Sequence, residues 1–378
     1  KLNATGSLSY SEGSISNVDM QGKLDFATSN AVLDALDIEG AKGPTSLDFM
    51  VDGNMTKAVS LRIAGSVAGS NLITKGIWTP QTEGSSSFKG DINLAFGVQN
   101  TLPTSLQYIP ALAGLRLKSD IDYSTTLIAM HNIDVAIAGG RISGDVQLSG
   151  PDYKTVAGIV TVAGVQVEDA DSKEATLNQP WSKQNFHPLP TSGMQGSLDL
   201  EIKSLSYKGQ DVSDSKGKLS FTDNGVDASF TKLTLNKAPA KFAFSVEDAA
   251  SVRKFDMAFD ATSIRMAPLL KSLTGSIVTD GIAELSFDAR GSGKSAFDLV
   301  SSLKGQGKMH ATAGTFKFMD LSKLVGVLRN PASAVTAIQS IGGMLGKGNT
   351  SFSQLDGTMV MDKGILTLTS LKGSGDWG

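Results

Sequence analysis

Gly291-Ser-Gly-Lys-Ser295 carries the residue types that close a phosphate-binding loop. The full motif needs a glycine five residues before its Gly-Lys-Ser, and Asp288 stands there. A carboxylate at that point repels the phosphates such a loop cradles. The segment reads instead as a turn into a helix that Ser295 caps, with Asp298 three residues on. Three histidines are present, His131, His187 and His310, and none has a second histidine at metal-ligand spacing. His310 alternates with Met309 and Ala311, so its side chain is expected on a wet face. No G-x-S-x-G elbow occurs. Carboxylates such as Asp199 and Glu201 fall on the polar phase of alternating segments, where a solvated face accounts for them. These residues predict no catalytic group, no metal and no cofactor.

The elements that would position a site are strands. Met194, Leu198, Leu200 and Ile202 alternate with polar residues, as do Phe242, Phe244 and Val246. Phe255, Met257 and Phe259, and then Ala283, Leu285, Phe287 and Ala289, repeat the pattern. Successive side chains of a strand point to opposite faces, so each segment has one apolar and one polar face. The fold class expected is mainly β: an elongated, mostly antiparallel twisted sheet forming a groove with an apolar inner face, and a few short helices at sheet ends. Some twenty strands in one sheet would span ~100 Å.

Three regions are expected. Residues 1–150 form an N-terminal β-groove segment, 151–193 a connecting segment punctuated by Pro180, Pro188 and Pro190, and 194–378 a C-terminal β region. Helices are expected near 264–273, 296–303 and 320–345 in the last region, and at Asn30–Leu36 and Leu102–Leu112 in the first. Phe297, Val300 and Leu303 make the apolar stripe of the second of these.

Composition narrows the function classes. The 41 glycines and the charged fraction of only 19% suit a sheet protein with many turns. A net charge of -3 gives no footprint for nucleic acid. The absence of cysteine excludes disulfides and thiolate chemistry. No stretch approaches 18 apolar residues, the length of a membrane-spanning helix. Both ends read as cut within or just after strand-like sequence, so an anchor is expected outside this chain.

From residue 181 the sequence resembles the AsmA family of Gram-negative envelope proteins (AsmA/TamB/YhdP-like, repeating β-groove proteins), best over residues 181–371. The resemblance begins at Trp181-Ser182, Gly196-Ser-Leu-Asp-Leu200 and Leu205-Ser-Tyr-Lys-Gly209, then Phe221-Thr-Asp-Asn-Gly225 and Leu233-Thr-Leu235. It is strongest over Leu285-Ser-Phe-Asp-Ala-Arg-Gly291, Ser301-Ser-Leu-Lys-Gly-Gln-Gly307, Ala313-Gly-Thr-Phe316 and Asp320-Leu321. Thr350-Ser-Phe-Ser-Gln-Leu-Asp-Gly357 and Lys363-Gly-Ile-Leu366 complete it. Ala313 departs from the pattern, which has an acidic residue before the glycine. The resemblance implies a periplasmic protein, anchored to the inner membrane through an N-terminal segment absent from this chain, that serves outer-membrane biogenesis by phospholipid transport. Phospholipid acyl chains and the inner membrane are the partners it implies, with outer-membrane or envelope proteins as further candidates.

Pattern alone leaves two fates for the apolar face: a core covered by helices or a second sheet, or an open groove. The resemblance favours the groove. Its candidate lining is Leu198, Leu200, Ile202, Phe242, Phe244, Phe255, Met257, Phe259, Leu285 and Phe287. A rival reading is a periplasmic scaffold that assists assembly or targeting of outer-membrane proteins through exposed strand edges. A parallel β-helix rod would show regular coil-length repeats, and the sequence has none.

Overall fold

The computed structural model describes residues 1–11, 14–26, 44–67, 69–80, 86–96, 114–137, 139–167, 181–187, 189, 191–207, 209–249, 252–269, 279–319 and 345–375. Twenty strands are described, in an open, mostly antiparallel sheet arrangement that is not closed into a barrel. The chain forms two compact units, Lys1–Ser172 with Gly193–Leu205 and Lys173–Ser192 with Ser206–Gly378.

The first unit is a meander. Its strands are β1 (Leu2–Ser11), β2 (Ser14–Phe26), β3 (Thr45–Asn54), β4 (Ala58–Val67), β5 (Ser70–Thr79) and β6 (Ser87–Ala95). They continue as β7 (Arg116–Ser124), β8 (Leu127–Ile137), β9 (Gly140–Ser149), β10 (Thr155–Ala163), β11 (Val165–Val167) and β12 (Gln195–Tyr207). From β1 to β10 each strand pairs antiparallel with the next. Local side chains close some of these turns. At the β3–β4 corner Asn54 Oδ1 accepts hydrogen bonds from Thr56 N at 2.9 Å and Thr56 Oγ1 at 2.6 Å. The last pairing breaks the rule: β12 runs parallel to β10, with Val160 opposite Leu200. A parallel partner requires a crossover between β10 and β12. The expected connecting stretch 151–193 thus contributes β10 and β11 to the first unit and residues 173–192 to the second.

The second unit holds β13 (Gln210–Thr222), β14 (Gly225–Leu235), β15 (Ala238–Ala249), β16 (Val252–Arg265), β17 (Thr279–Gly293), helix α1 (Ala296–Ser302), β18 (Lys304–Met319), β19 (Leu345–Asp362) and β20 (Ile365–Ser374). Its strands pair antiparallel in sequence order. Asn236 and Lys237, both with positive φ (49° and 68°), turn β14 into β15 with the twist that two-residue hairpins require. The helix expected near 296–303 is α1, and the Ser295 hydroxyl accepts from Asp298 N at 3.1 Å as its cap.

The helix expected at 264–273 starts later than the pattern suggested. Ile264 and Arg265 close β16, and only residues 266–269 are helical among the described ones. The cause is a bulge: Ser263 takes φ 56°, which returns Ile264 to the face of Ala261 and lets the strand run on. Ala313, at φ 51°, makes a similar irregularity in β18. An acidic residue tolerates that backbone better than alanine, which explains why one is expected there. The helices expected at 30–36, 102–112 and, up to residue 344, at 320–345 lie outside the described residues.

The core of the second unit sits at one end of the apolar face. Ala238, Ala261, Ile264, Met266, Ala283, Ala311, Phe352 and Leu355 are buried together there, with Leu269 and Phe259 packed on them. Ile264 and Ala311 are fully buried, at 0% exposure.

Candidate functional site

Strand registers extend the alternation of single strands into rows that cross the sheet. In the first unit one row runs Leu2, Leu24, Leu47, Gly65, Leu72, Leu94, Leu117, Val135, Ile142, Val162, Ile202, one residue per strand from β1 to β10 and then β12. Side chains directly opposite across strands share a face, so this is an apolar lane ~48 Å long at the usual strand spacing. A parallel row ends at Leu198 through Ile121, Met130, Val146 and Gly158. Between them, Ile133, Gly144 and Val160 lead to Leu200. The three candidates from this strand therefore terminate three adjacent lanes of the first unit.

The other seven candidates meet on the apolar face of the second unit. Phe242, Phe259 and Phe287 stand directly opposite one another, and the row continues through Gly307, Met359 and Leu368. The next row is Ala228, Phe244, Met257, Ala289, Gly305, Met361, Leu366. Phe255 faces Val246 and Gly291 in a third row, and Leu285 lies between Ala261 and Met309 in a fourth. Unlike the sealed end at Ile264, all seven are half-buried. The helical turn 266–269 belongs to the buried cluster at one end of this face, and of the seven Phe259 packs against that cluster.

Glycine shapes the surface of these lanes. A Cβ on Gly307 would fall 2.8 Å from Phe287 Cδ2, and one on Gly217 2.8 Å from Phe230 Cδ1. Each of these glycines is the cross-strand partner of that phenylalanine. In the first unit Gly22 stands the same way under Phe49, with a would-be Cβ 2.6 Å from Cζ. The rings lie down over bare backbone instead of standing up from the sheet, which keeps the lanes smooth. Neighbouring rings touch, Phe242 with Phe244 at 5.8 Å between centroids and with Phe230 at 6.4 Å.

Met309, Met359 and Met361 complete the lanes and escaped the sequence reading. Their strands read Gly305-x-Gly307-x-Met309 and Gly357-x-Met359-x-Met361, in which glycine interrupts the hydrophobic period. The legible signal was the matched spacing by which Gly305, Gly307 and Gly357 each face a methionine of the other strand.

The opposite face is charged. Two open depressions, of about 740 and 500 Å³, are lined mainly by its side chains, among them Asp227, Asp256, Asp288, Arg290 and Lys304 in the first. His310 lies in the second, half-exposed as its phase predicts, with Nδ1 2.7 Å from Asp356 Oδ1. That hydrogen bond, with a second from Gln354, holds the Asp356 carboxyl below its ordinary value. Among the described residues no serine hydroxyl bonds to His310, and no three His, Asp or Glu side chains are grouped to hold a metal. At Gly291–Ser295 a Cβ on Gly293 would meet Leu299 N at 2.2 Å, and Lys294 O accepts from Phe186 N at 2.8 Å. The stretch is strand packing onto a capped helix, with no cradle for phosphate.

Residues 181–187 and Leu189 brace this corner. Arg253 donates to both Asp248 oxygens, at 2.8 and 3.0 Å, and to His187 O at 2.8 Å, with its guanidinium 4.5 Å from the Phe186 ring centroid. The Arg253 hydrogen bonds, helped by Leu189 N, hold Asp248 below its ordinary value although burial opposes this.

The family model of the AsmA family matches residues 159–371, more than half of the chain. No curated protein matches. Among solved structures the chain is similar to a crystal structure of Pseudomonas aeruginosa OccK11 (OpdR) at 7% identity, covering 97% of this chain and 90% of that one. The TM-score is 0.15, too low to inform fold or function.

Proposed function

The chain belongs to the AsmA family, and on that premise we propose that its apolar lanes hold and pass phospholipid acyl chains between the inner and outer membranes. Family membership points to an envelope-related role in lipid transport or assembly, in a family generally of non-enzymatic proteins. The finer reading is non-catalytic phospholipid transfer in the periplasm, supporting outer-membrane assembly and integrity. Anchoring to the inner membrane, through a segment N-terminal to this chain, is part of that reading. No helix among the described residues is long and apolar enough to cross a membrane.

The observation that carries the proposal is the row Phe242–Phe259–Phe287–Gly307–Met359–Leu368, apolar across six strands, in which Phe242, Phe259, Phe287 and Met359 are half-buried and Leu368 is exposed. Each methylene taken out of water contributes about 0.8 kcal/mol, so a tail gains several kcal/mol in a lane. Because neighbouring positions offer similar surface, that gain changes little as the tail slides. Headgroups stay in water, and no side chain needs to do chemistry.

Gentle purification followed by lipid extraction and native mass spectrometry tests this. Co-purifying phospholipid that disappears in Leu200→Asp with Phe244→Asp, while the fold is kept, is the expected result. Lipid-free wild-type protein contradicts it. A scaffold reading draws on β20, where Ile365, Leu366, Leu368 and Leu371 are all exposed on a strand paired, among the described residues, only with β19. Photo-crosslinking in cells from Phe244 or Met257 separates the two, since adducts to protein alone favour the scaffold.

A further inference from the structure

We propose that Met309, Met359 and Met361 form an oxidation-sensitive section of the apolar lanes, whose conversion to methionine sulfoxide blocks acyl chains and whose reduction restores passage. The inference rests on the lipid reading above and assigns a regulation to that same site.

Three consecutive same-face pairs join β18 to β19: Gly305 with Met361, Gly307 with Met359, and Met309 with Gly357. Each pair sets one methionine against one glycine. The methyl end of Met359 lies 3.2 Å from where a Gly307 Cβ would be, and that of Met309 3.3 Å from the Gly357 position. The thioethers therefore form the lane surface themselves, laid across glycine backbone. All three residues are half-buried, within reach of a small oxidant. Phe287 lies on one side of the strip and Leu366 and Leu368 on the other, so a tail following either row must cross it.

The chemistry balances with a hydroperoxide as oxidant. A sulfur lone pair attacks one peroxide oxygen, the O–O bond breaks, and the S–O bond of the sulfoxide forms. Water or an alcohol leaves, sulfur having lost two electrons and peroxide having gained them. Reversal needs a thiol-dependent sulfoxide reductase, which takes the oxygen off as water while two thiols become a disulfide. This chain has no cysteine, so both the reductant and any thiol that would intercept the oxidant lie elsewhere. The product is a strong hydrogen-bond acceptor in the middle of an apolar track. A tail lying across it strips water from that oxygen and returns no donor.

Met50 provides the internal control. It is 52% exposed on the polar face, between Gln21 and Arg62. The experiment measures uptake of dansyl-labelled phosphatidylethanolamine from phosphatidylethanolamine/phosphatidylglycerol vesicles, before and after hydrogen peroxide, with sulfoxides mapped by peptide mass spectrometry. Peroxide is expected to lower uptake about tenfold in wild type, as one unpaired buried polar group should. Met50→Leu should respond as wild type does. In the triple variant Met309→Leu, Met359→Leu, Met361→Leu, made and compared in a Met257→Leu background because Met257 also lies in these rows, the ratio of uptake after to before should stay within roughly twofold, since leucine keeps volume and cannot oxidise. Prior loading with lipid should slow oxidation of the three residues but not of Met50, and Met359→Gln should reproduce the oxidised behaviour without peroxide. Loss of uptake in the triple variant equal to wild type, or sulfoxide at all three positions with uptake unchanged, overturns the proposal. Uptake by untreated protein with no peroxide effect overturns this inference alone, whereas no uptake by untreated protein overturns the lipid reading with it.

Discussion

Two stretches of one face in the second unit differ in a way their sequences do not. At Ile264, Ala311 and Phe352 the alternating apolar residues are buried to a few per cent exposure. At Phe244, Met257 and Met361, on the same face, they are half-buried. Strand sequence sets which side is apolar. Burial at the sealed end comes from what packs on it, here Met266 and Leu269 of the helical turn 266–269 together with the Phe316–Phe352 ring pair, whose centroids are 5.2 Å apart. A stretch covered in this way works as a core, and the half-buried stretch is where the proposed acyl chains would lie.

Charge insertion should break the contrast open most widely. Ile264→Asp buries a carboxylate with no partner and should cost more than about 4 kcal/mol, enough to unfold the second unit in urea titration. Phe244→Asp can turn its charge to water and should cost about 1–2 kcal/mol while abolishing lipid capture. Equal destabilisation by the two would mean that the face is one continuous core.

Truncation sharpens the same contrast with less force. Ile264→Ala should lose about 3 kcal/mol through burial and cavity terms together. Met257→Ala should lose about 1 kcal/mol, because the site is already partly wet. Glycine replacement follows. A Cβ on Gly314 would sit 2.1 Å from Phe352 Cζ and 2.3 Å from Asp280 O, so Gly314→Ala should cost about 2 kcal/mol by overpacking. A Cβ on Gly357 meets only flexible ends, Met309 Cε at 3.3 Å and Leu368 Cδ1 at 3.5 Å, and Gly357→Ala should lie within about 0.5 kcal/mol of wild type.

The smallest effect lies where His187 and Leu189 meet Arg253 and Asp248. Asp248 has its folded value held below 3.8, so its pairing stabilises fully above that pH and is lost as pH falls through the lowered value. Hydrogen exchange of the Leu189 amide, corrected for intrinsic rate, should show protection at neutral pH that fades below about pH 4. Arg253→Met should shift the loss to higher pH, with little change at the sealed end.

The sequence made the faces legible wherever large residues kept strict period two, as at Phe242, Phe244 and Val246. It also carried α1, because Ser295 and the stripe at Phe297 and Val300 are local signals. Three features escaped it for physical reasons. Ile264 sits at spacing three from Ala261, which reads as helix, and a positive φ at Ser263 makes it strand. Met359 and Met361 face glycines, so half of each cross-strand pair carries no hydrophobic signal. The parallel pairing of β10 with β12 depends on a crossover of about thirty residues, and no local pattern encodes a partner so distant.

The central claim is that fatty tails contact the apolar face and not the charged one. The native chain lacks cysteine, so single cysteines can be placed cleanly on each: Phe244→Cys, Met257→Cys and Phe287→Cys against Ala243→Cys, Asp256→Cys and Asp288→Cys. Each would carry an environment-sensitive fluorophore and be mixed with phospholipid brominated along its acyl chains. Quenching confined to the first three is the predicted result, and equal quenching on both faces, or none on either, contradicts the account.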